Sequence, residues 1–196
     1  MSLAQLGTKW PVIGFIVSTP TSFFLQKANR FSTLWRSKLS VHFARAVLKN
    51  AVARGLDPSS LLRKNRIPPR LLLEDNARIS IERFADLQVS TMLAMGDEAL
   101  GYGRTRLPIG SWSMMCHAVI HCDTLGKALA RYCRFFGLFP QVGGPELLIE
   151  DDLAQLRLPP QVGVGRYGAE LALFNCHRFA SWLVQEHLPL QAVNLE

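Results

Sequence analysis

A chain of 196 residues is long enough for one domain with a substantial core, and 48% hydrophobic residues spread along its length exclude disorder as a general description. The net charge of +7 is uneven: residues 1–73 hold twelve Lys and Arg against the single acid Asp57, a net +11, which leaves −4 on the remainder. That asymmetry fits either a solvated basic face or a contact with nucleic acid or a membrane surface. The four cysteines (Cys116, Cys122, Cys133, Cys176) form no CxxC pair and no secreted-scaffold spacing. Free, mostly buried thiols in a cytoplasmic protein are therefore expected.

In chain order, residues 1–38 read as a basic, poorly ordered extension. Its apolar run WPVIGFIV is interrupted by Pro11 and Gly14 and is far shorter than the about 20 residues that cross a membrane. Helical periodicity begins at Ser40 and predicts a helix over 41–54, with Val41, Ala44, Val47, Leu48 and Val52 near one face and Gly55 as its stop. Asp57-Pro58 supplies a cap and first-turn proline for a short helix through Leu61 and Leu62, and Pro68-Pro69 opens a brief helical turn to Leu73. Ser80 caps a longer helix over 81–95, with Ile81, Phe84, Leu87 and Leu93 inward and Gly96 closing it.

Two further helices follow, over 112–121 and over 124–136, the second capped by Asp123. The stretch 146–158 carries two short apolar runs around Asp151-Asp152 and reads as a β-hairpin. Two prolines and three glycines make 159–168 a loop, after which 169–187 is strongly helical and 190–195 alternates like a strand. The fold class is mixed α/β, mostly α: a helical amino-terminal half, a β-hairpin, a long helix and a terminal strand. With so few strands to cover one another, 39–196 reads as an incomplete domain.

Few constellations carry chemistry. His117 and His121 stand four apart beside Cys116 and Cys122, the spacing of a helical zinc pair, but Ala118 occupies the place of an HExxH glutamate and the nearest third ligands are Cys176 and His177. Core cysteines, with histidines bonded to backbone or lining a pocket, are the plainer account. The pairs Asp97-Glu98 and Asp151-Asp152 sit beside turns, where carboxylates commonly cap. Residues 41–62 and 112–136 each resemble a helix-turn-helix, and Arg63, Lys64 and Arg66 give the first the charge of a DNA reader. Trp112, His117, His121, Arg131, Tyr132 and His177 are candidate effector-pocket residues by type. No catalytic, metal or cofactor residue is assigned.

A set of words in fixed order then carries a family resemblance: Ala53-Arg54-Gly55-Leu56-Asp57, Leu61-Leu62, Arg66-Ile67-Pro68, Ile81 to Leu87, Gly96-Asp97-Glu98-Ala99-Leu100-Gly101, Gly110 to Cys116, Ile120 to Leu129, and His177-Arg178-Phe179 with Trp182-Leu183. From Ser40 onward the chain resembles the helical sensor domain of AraC-type bacterial transcription regulators; residues 1–38 match nothing in it. The resemblance implies a domain that senses a small-molecule effector and forms a homodimer, with DNA bound only through a carboxy-terminal helix-turn-helix domain absent from this chain. It does not imply the jelly-roll sensor of the arabinose regulator, for which the chain is too helical. A small basic nucleic-acid-binding protein and, behind it, a metal-dependent enzyme are the alternatives.

Overall fold

The computed structural model describes the backbone of Val12–Ile16 together with residues 38–139, 144–151, 153–158 and 165–195. Expectations placed on the rest of the leader and on 159–164 lie outside the described residues. The chain divides into two compact units, Leu25–Ser113 and a second made of Met1–Phe24 with Met114–Glu196.

In the first unit a two-stranded ladder sets the helices. Strands β2 (Lys38–Ser40) and β3 (Arg78–Ser80) pair antiparallel, and each runs directly into a helix, α1 (Val41–Ala53) and α3 (Ile81–Met95). The last residue of each strand is the cap: Ser40 Oγ accepts from His42 N and Ser80 Oγ from Arg83 N, both at 3.3 Å. These bonds satisfy amides that no helical carbonyl reaches. Asp57 does the same for α2 (Pro58–Lys64), accepting from Ser59 N and Ser60 N at 3.0 and 2.9 Å. A 3₁₀ turn covers Pro69–Leu73.

The core of this unit is Val41, Ala44, Val47, Leu48 and Ala51 from α1 with Leu61, Leu62, Ile67, Ile79, Leu87, Met95 and Leu100. Two expected core positions point outward: Val52 is 49% and Leu93 58% exposed. Ala51 on α1, and Thr91 and Met95 on α3, are buried in their stead. Thr91 tolerates burial because its hydroxyl donates to Leu87 O at 2.7 Å.

A polar clamp holds the segment after α3 against α1. Gly96 ends α3 in the left-handed conformation, and the next residue, Asp97, is wholly buried. Its Oδ1 accepts from Ala99 N and Leu107 N, and its Oδ2 from Gly101 N and Arg54 Nη1, all at 3.0 Å. Asn50 Nδ2 donates to Leu100 O at 3.0 Å and Tyr102 Oη to Ala46 O at 2.9 Å. Residues 46, 50 and 54 are spaced by four and so share one face of α1. Gly101 is required here twice over: its φ is +77°, and a Cβ would meet Asn50 Cβ at 2.8 Å. Glu98 faces onward, its two carboxylate oxygens accepting from Gly110 N at 2.7 Å and Trp112 N at 2.8 Å at the start of α4 (Ser111–Val119).

The second unit is built on α5 (Leu125–Gly137), α6 (Gly165–Val184) and a four-stranded antiparallel sheet. Strands β4 (Glu146–Glu150) and β5 (Leu153–Arg157) form the expected hairpin, with Asp151 at φ +51° at its tip. The strand β6 (Leu190–Asn194) does not join the hairpin directly. Between β5 and β6 lies β1 (Val12–Ile16), Val12 opposite Arg157 on one side and Asn194 on the other. For these five residues the outcome differs from the poorly ordered extension that was expected. Ala154 and Leu156 of β5 are fully buried on the inner face.

Two boundaries move. The cap of α5 is Thr124, whose Oγ1 accepts from Lys127 N at 3.2 Å, not Asp123, which bonds Lys127 Nζ at 2.6 Å. That charged partner holds the Asp123 carboxyl below, and the Lys127 amine above, its ordinary value. Helix α6 begins at Gly165, inside the expected loop.

The buried Asp97 carboxylate accepts from four donors, so removing it orphans three amides and one guanidinium. Asp97→Ala should lower unfolding stability by at least about 3 kcal/mol in urea titration. Asp97→Asn should cost less but still destabilise, since it keeps the shape and loses the charge that answers Arg54. A loss in Asp97→Ala no larger than that of a surface substitution would show that the clamp does not hold this unit.

Candidate functional site

The second unit carries a buried aromatic–thiol cluster. The amphipathic pattern of α5 turns Leu125, Ala128, Leu129, Tyr132 and Phe136 inward. Tyr132 packs against Phe136 at 4.9 Å and Phe179 at 5.9 Å between ring centroids, and Phe179 stacks on Trp182. The Cys176 thiol of α6 lies 3.0 Å from Tyr132 Oη in a buried hydrogen bond. Burial, followed by the neighbouring Cys176, pushes the Cys133 thiol up to about 12; burial pushes Cys176 to about 11, and the Tyr132 phenol is raised for the same reason. At neutral pH these groups are protonated, so they are poor nucleophiles and poor metal ligands. Among the described residues, no group of three or more His, Cys, Asp or Glu side chains is placed to hold a metal ion.

Above this cluster, α5 and β4 frame an open depression of about 590 Å³ lined by Ala130, Cys133, Arg134, Pro145, Glu146, Leu147 and Ile149. Its chemistry is simple: one guanidinium and one carboxylate on otherwise apolar walls, with a protonated thiol among them. Gly144 lets the strand approach the end of α5 closely, since a Cβ there would meet Gly137 N at 2.6 Å and Phe136 C at 2.8 Å.

The six residues singled out by type do not line this depression. Tyr132 is in the core beneath it, and His177 is only 5% exposed, its Nε2 2.8 Å from Leu188 O and its ring 5.4 Å from that of His187. Arg131 donates to Ala118 O at 2.7 Å. His117 is exposed on α4, and His121 lies in the turn beyond it, because the helix ends at Val119 rather than continuing over both histidines. Trp112 is 38% exposed at the first turn of α4. Tyr132 and His177 thus share one buried region of the unit, while His117, His121 and Arg131 stand on its surface. Of the basic residues on the second helix-turn-helix-like segment, Lys127 bonds Asp123 and Arg131 bonds Ala118 O.

Residues 55–196 match the family model described as the arabinose-binding domain of AraC transcription regulators, amino-terminal part. Among curated proteins, the chain is 30% identical over 163 residues to the ornithine utilization regulator of Pseudomonas aeruginosa, covering 79% of this chain and 46% of that protein. The chain therefore spans about half the length of that relative. No solved structure matches it.

The raised thiols make a pH prediction with a definite sign. The folded state keeps Cys133 and Cys176 protonated above the ordinary thiol value of 9.0, where the unfolded chain releases those protons. Their contribution is whole below about pH 9 and is lost as pH rises toward about 11 for Cys176 and about 12 for Cys133. The melting temperature should fall over that interval, and more gently in a Cys133→Ala/Cys176→Ala variant. An identical fall in both proteins would show that these thiols are not what titrates.

Proposed function

We propose that this chain, which belongs to the AraC family of transcription regulators and carries their amino-terminal arabinose-binding domain, senses a small zwitterionic metabolite in the depression between α5 and β4. The observation that carries the reading is the pairing of Arg134 and Glu146 on apolar walls in a space of about 590 Å³. That is within the range of small-molecule sites, about 300–1,000 Å³, in which a few polar groups fix orientation and apolar walls supply contact. A guanidinium grips a carboxylate through two parallel hydrogen bonds, whereas a carboxylate such as Glu146 accepts from an ammonium. Ala130, Leu147 and Ile149 would lie along the methylenes between. An amino acid or a close derivative has this layout, and the similar Pseudomonas protein is named for ornithine utilization. The reading assigns no catalytic step to the chain.

Transmission to transcription is not assigned to any residue of this chain. A homodimer is the assembled form we propose, and Phe174 (60% exposed) and Trp182 (41%) supply apolar surface on α6 for it. Sedimentation should show a dimer that Phe174→Glu weakens. A chain that remains monomeric at high micromolar concentration would remove the dimer from the scheme.

Thermal-shift measurements with ornithine, arginine, lysine and glutamate, and with arabinose for comparison, test the effector class. A ligand at about 100 times its Kd stabilises by about 2.7 kcal/mol, a rise of roughly 5–10 °C for a chain this size. Arg134→Ala should abolish the shift and Glu146→Gln should reduce it. A shift with arabinose alone, or one with an amino acid that survives both substitutions, would place the effector elsewhere.

A further inference from the structure

The first unit carries a second feature, independent of the effector site. Four exposed cations, Arg63, Lys64, Arg66 and Arg70, stand within eight residues at the end of α2 and the following 3₁₀ turn. Among the described residues the one ion pair they make is with Asp57, 3.7 Å from Arg63 with both side chains more than half exposed. Such a pair contributes little. Of the acids just downstream, Asp75 is bonded to Arg45 at 3.0 Å.

What distinguishes this cluster from an ordinary charged surface is how firmly its backbone is held. Asn65 is buried between the cations, donating through Nδ2 to Leu61 O at 2.8 Å and accepting from Ser90 Oγ at 3.0 Å. Ile67 is buried in the core, and Ile67 N closes back on Leu62 O at 2.9 Å. Pro68 and Pro69 restrict the exit. Between the two buried residues, Arg66 takes φ +58°, a conformation that normally falls to glycine after a helix. The arginine in that strained position is exposed, with a buried residue on either side of it.

We infer that Arg63, Lys64, Arg66 and Arg70 form a pre-set ridge for the phosphate backbone of duplex DNA, read without regard to base sequence. Three of the four are guanidiniums, whose planar fork suits phosphate oxygens. The family's work on transcription keeps the chain near that polyanion, and the ridge adds contacts that position without specifying.

The test is fluorescence anisotropy of the whole 196-residue chain on a random-sequence duplex across a salt series. Three or four phosphate contacts give a log–log salt slope of about −2.7 to −3.6, a loss of roughly 40- to 150-fold in affinity between about 50 and 200 mM salt. A variant with Arg63→Ala, Lys64→Ala, Arg66→Gly and Arg70→Ala should flatten that slope to near zero. One with Lys49→Ala, Arg83→Ala, Arg104→Ala and Arg106→Ala removes the same charge from elsewhere in the unit and should keep it. The single Arg66→Gly variant should melt higher, because glycine relieves the left-handed strain, yet reduce the slope by about 0.9. That combination of a more stable fold with weaker binding is not produced by a structural defect. Equal loss in the two quadruple variants would mean diffuse attraction by net charge, and equally tight binding to a poly-glutamate peptide would mean an acidic protein surface. Either result, or no DNA binding by the parent chain, overturns the ridge.

Discussion

A carboxylate with no access to water has to be met by donors, and the first unit is organised around meeting one. Asp97 needs its four donors in place, and three of them are backbone amides of residues 99, 101 and 107. Bringing two of those amides onto the same carboxylate requires the chain to curl tightly, which explains left-handed backbone at Gly96, Leu100 and Gly101 within six residues. Leucine in that conformation costs on the order of 1 kcal/mol, and it is retained because Leu100 is also a fully buried core residue whose carbonyl receives Asn50. Arg54 closes the charge from α1. The consequence is that the register of α1 against the 96–110 segment is fixed by hydrogen-bond geometry, which permits one arrangement, and not by apolar contact alone, which tolerates several.

Helix starts and stops were the most legible part of the fold because their chemistry is local. Ser40, Asp57, Ser80 and Gly96 each do what their residue type does at a terminus, and the hairpin at 146–158 announced itself by alternation around two aspartates. Thr124 and Asp123 compete for one cap, and a neighbouring lysine decided between them, which no single-residue propensity could convey. Strands β1 and β2 were illegible for a different reason. Three residues of ladder at 38–40, or five bounded by Pro11 and containing Gly14, hold no pattern of their own; their pairing partners lie about 40 and 140 residues away in sequence. The inserted β1 also alters the sheet, since it gives β5 and β6 a shared neighbour where a hairpin and a lone strand were expected.

The site was less legible than the fold. The residues chosen by chemical type, Trp112, His117, His121, Arg131, Tyr132 and His177, lie outside the depression on which the proposal rests, because chemical type does not carry the direction in which a side chain leaves its element. On α5 the difference is a rotation of the helix: Arg131 faces α4, Tyr132 faces the core, and Cys133 and Arg134 face the depression. The 3.6-residue period of α5 does separate these faces, but which polar face meets another element depends on β4, more than ten residues farther along. The place of Glu146 at the depression leaves no signal in the sequence, because a glutamate opening an edge strand looks like any solvated charge. The word Gly96 to Gly101 was recognised as part of a family pattern without its reason, which is the cage around Asp97.

An open site sets an energetic condition on any sensor built from it. Moving a two-state equilibrium from 1:99 to 99:1 requires about 10⁴-fold preference for one state, about 5.5 kcal/mol. Ion pairs between an effector and the exposed ends of Arg134 and Glu146 supply about 1 kcal/mol or less while water screens them. The same pairs strengthen severalfold when the effective dielectric falls from that of water to about 20. Tight binding is therefore not enough; the favoured state must exclude water from the guanidinium and the carboxylate in a way the other state does not. The backbone contact between Gly144 and the Phe136–Gly137 end of α5 leaves no room for those two segments to close further. If the proposed effector sits there, drying would have to come from a surface laid over the depression from outside α5 and β4.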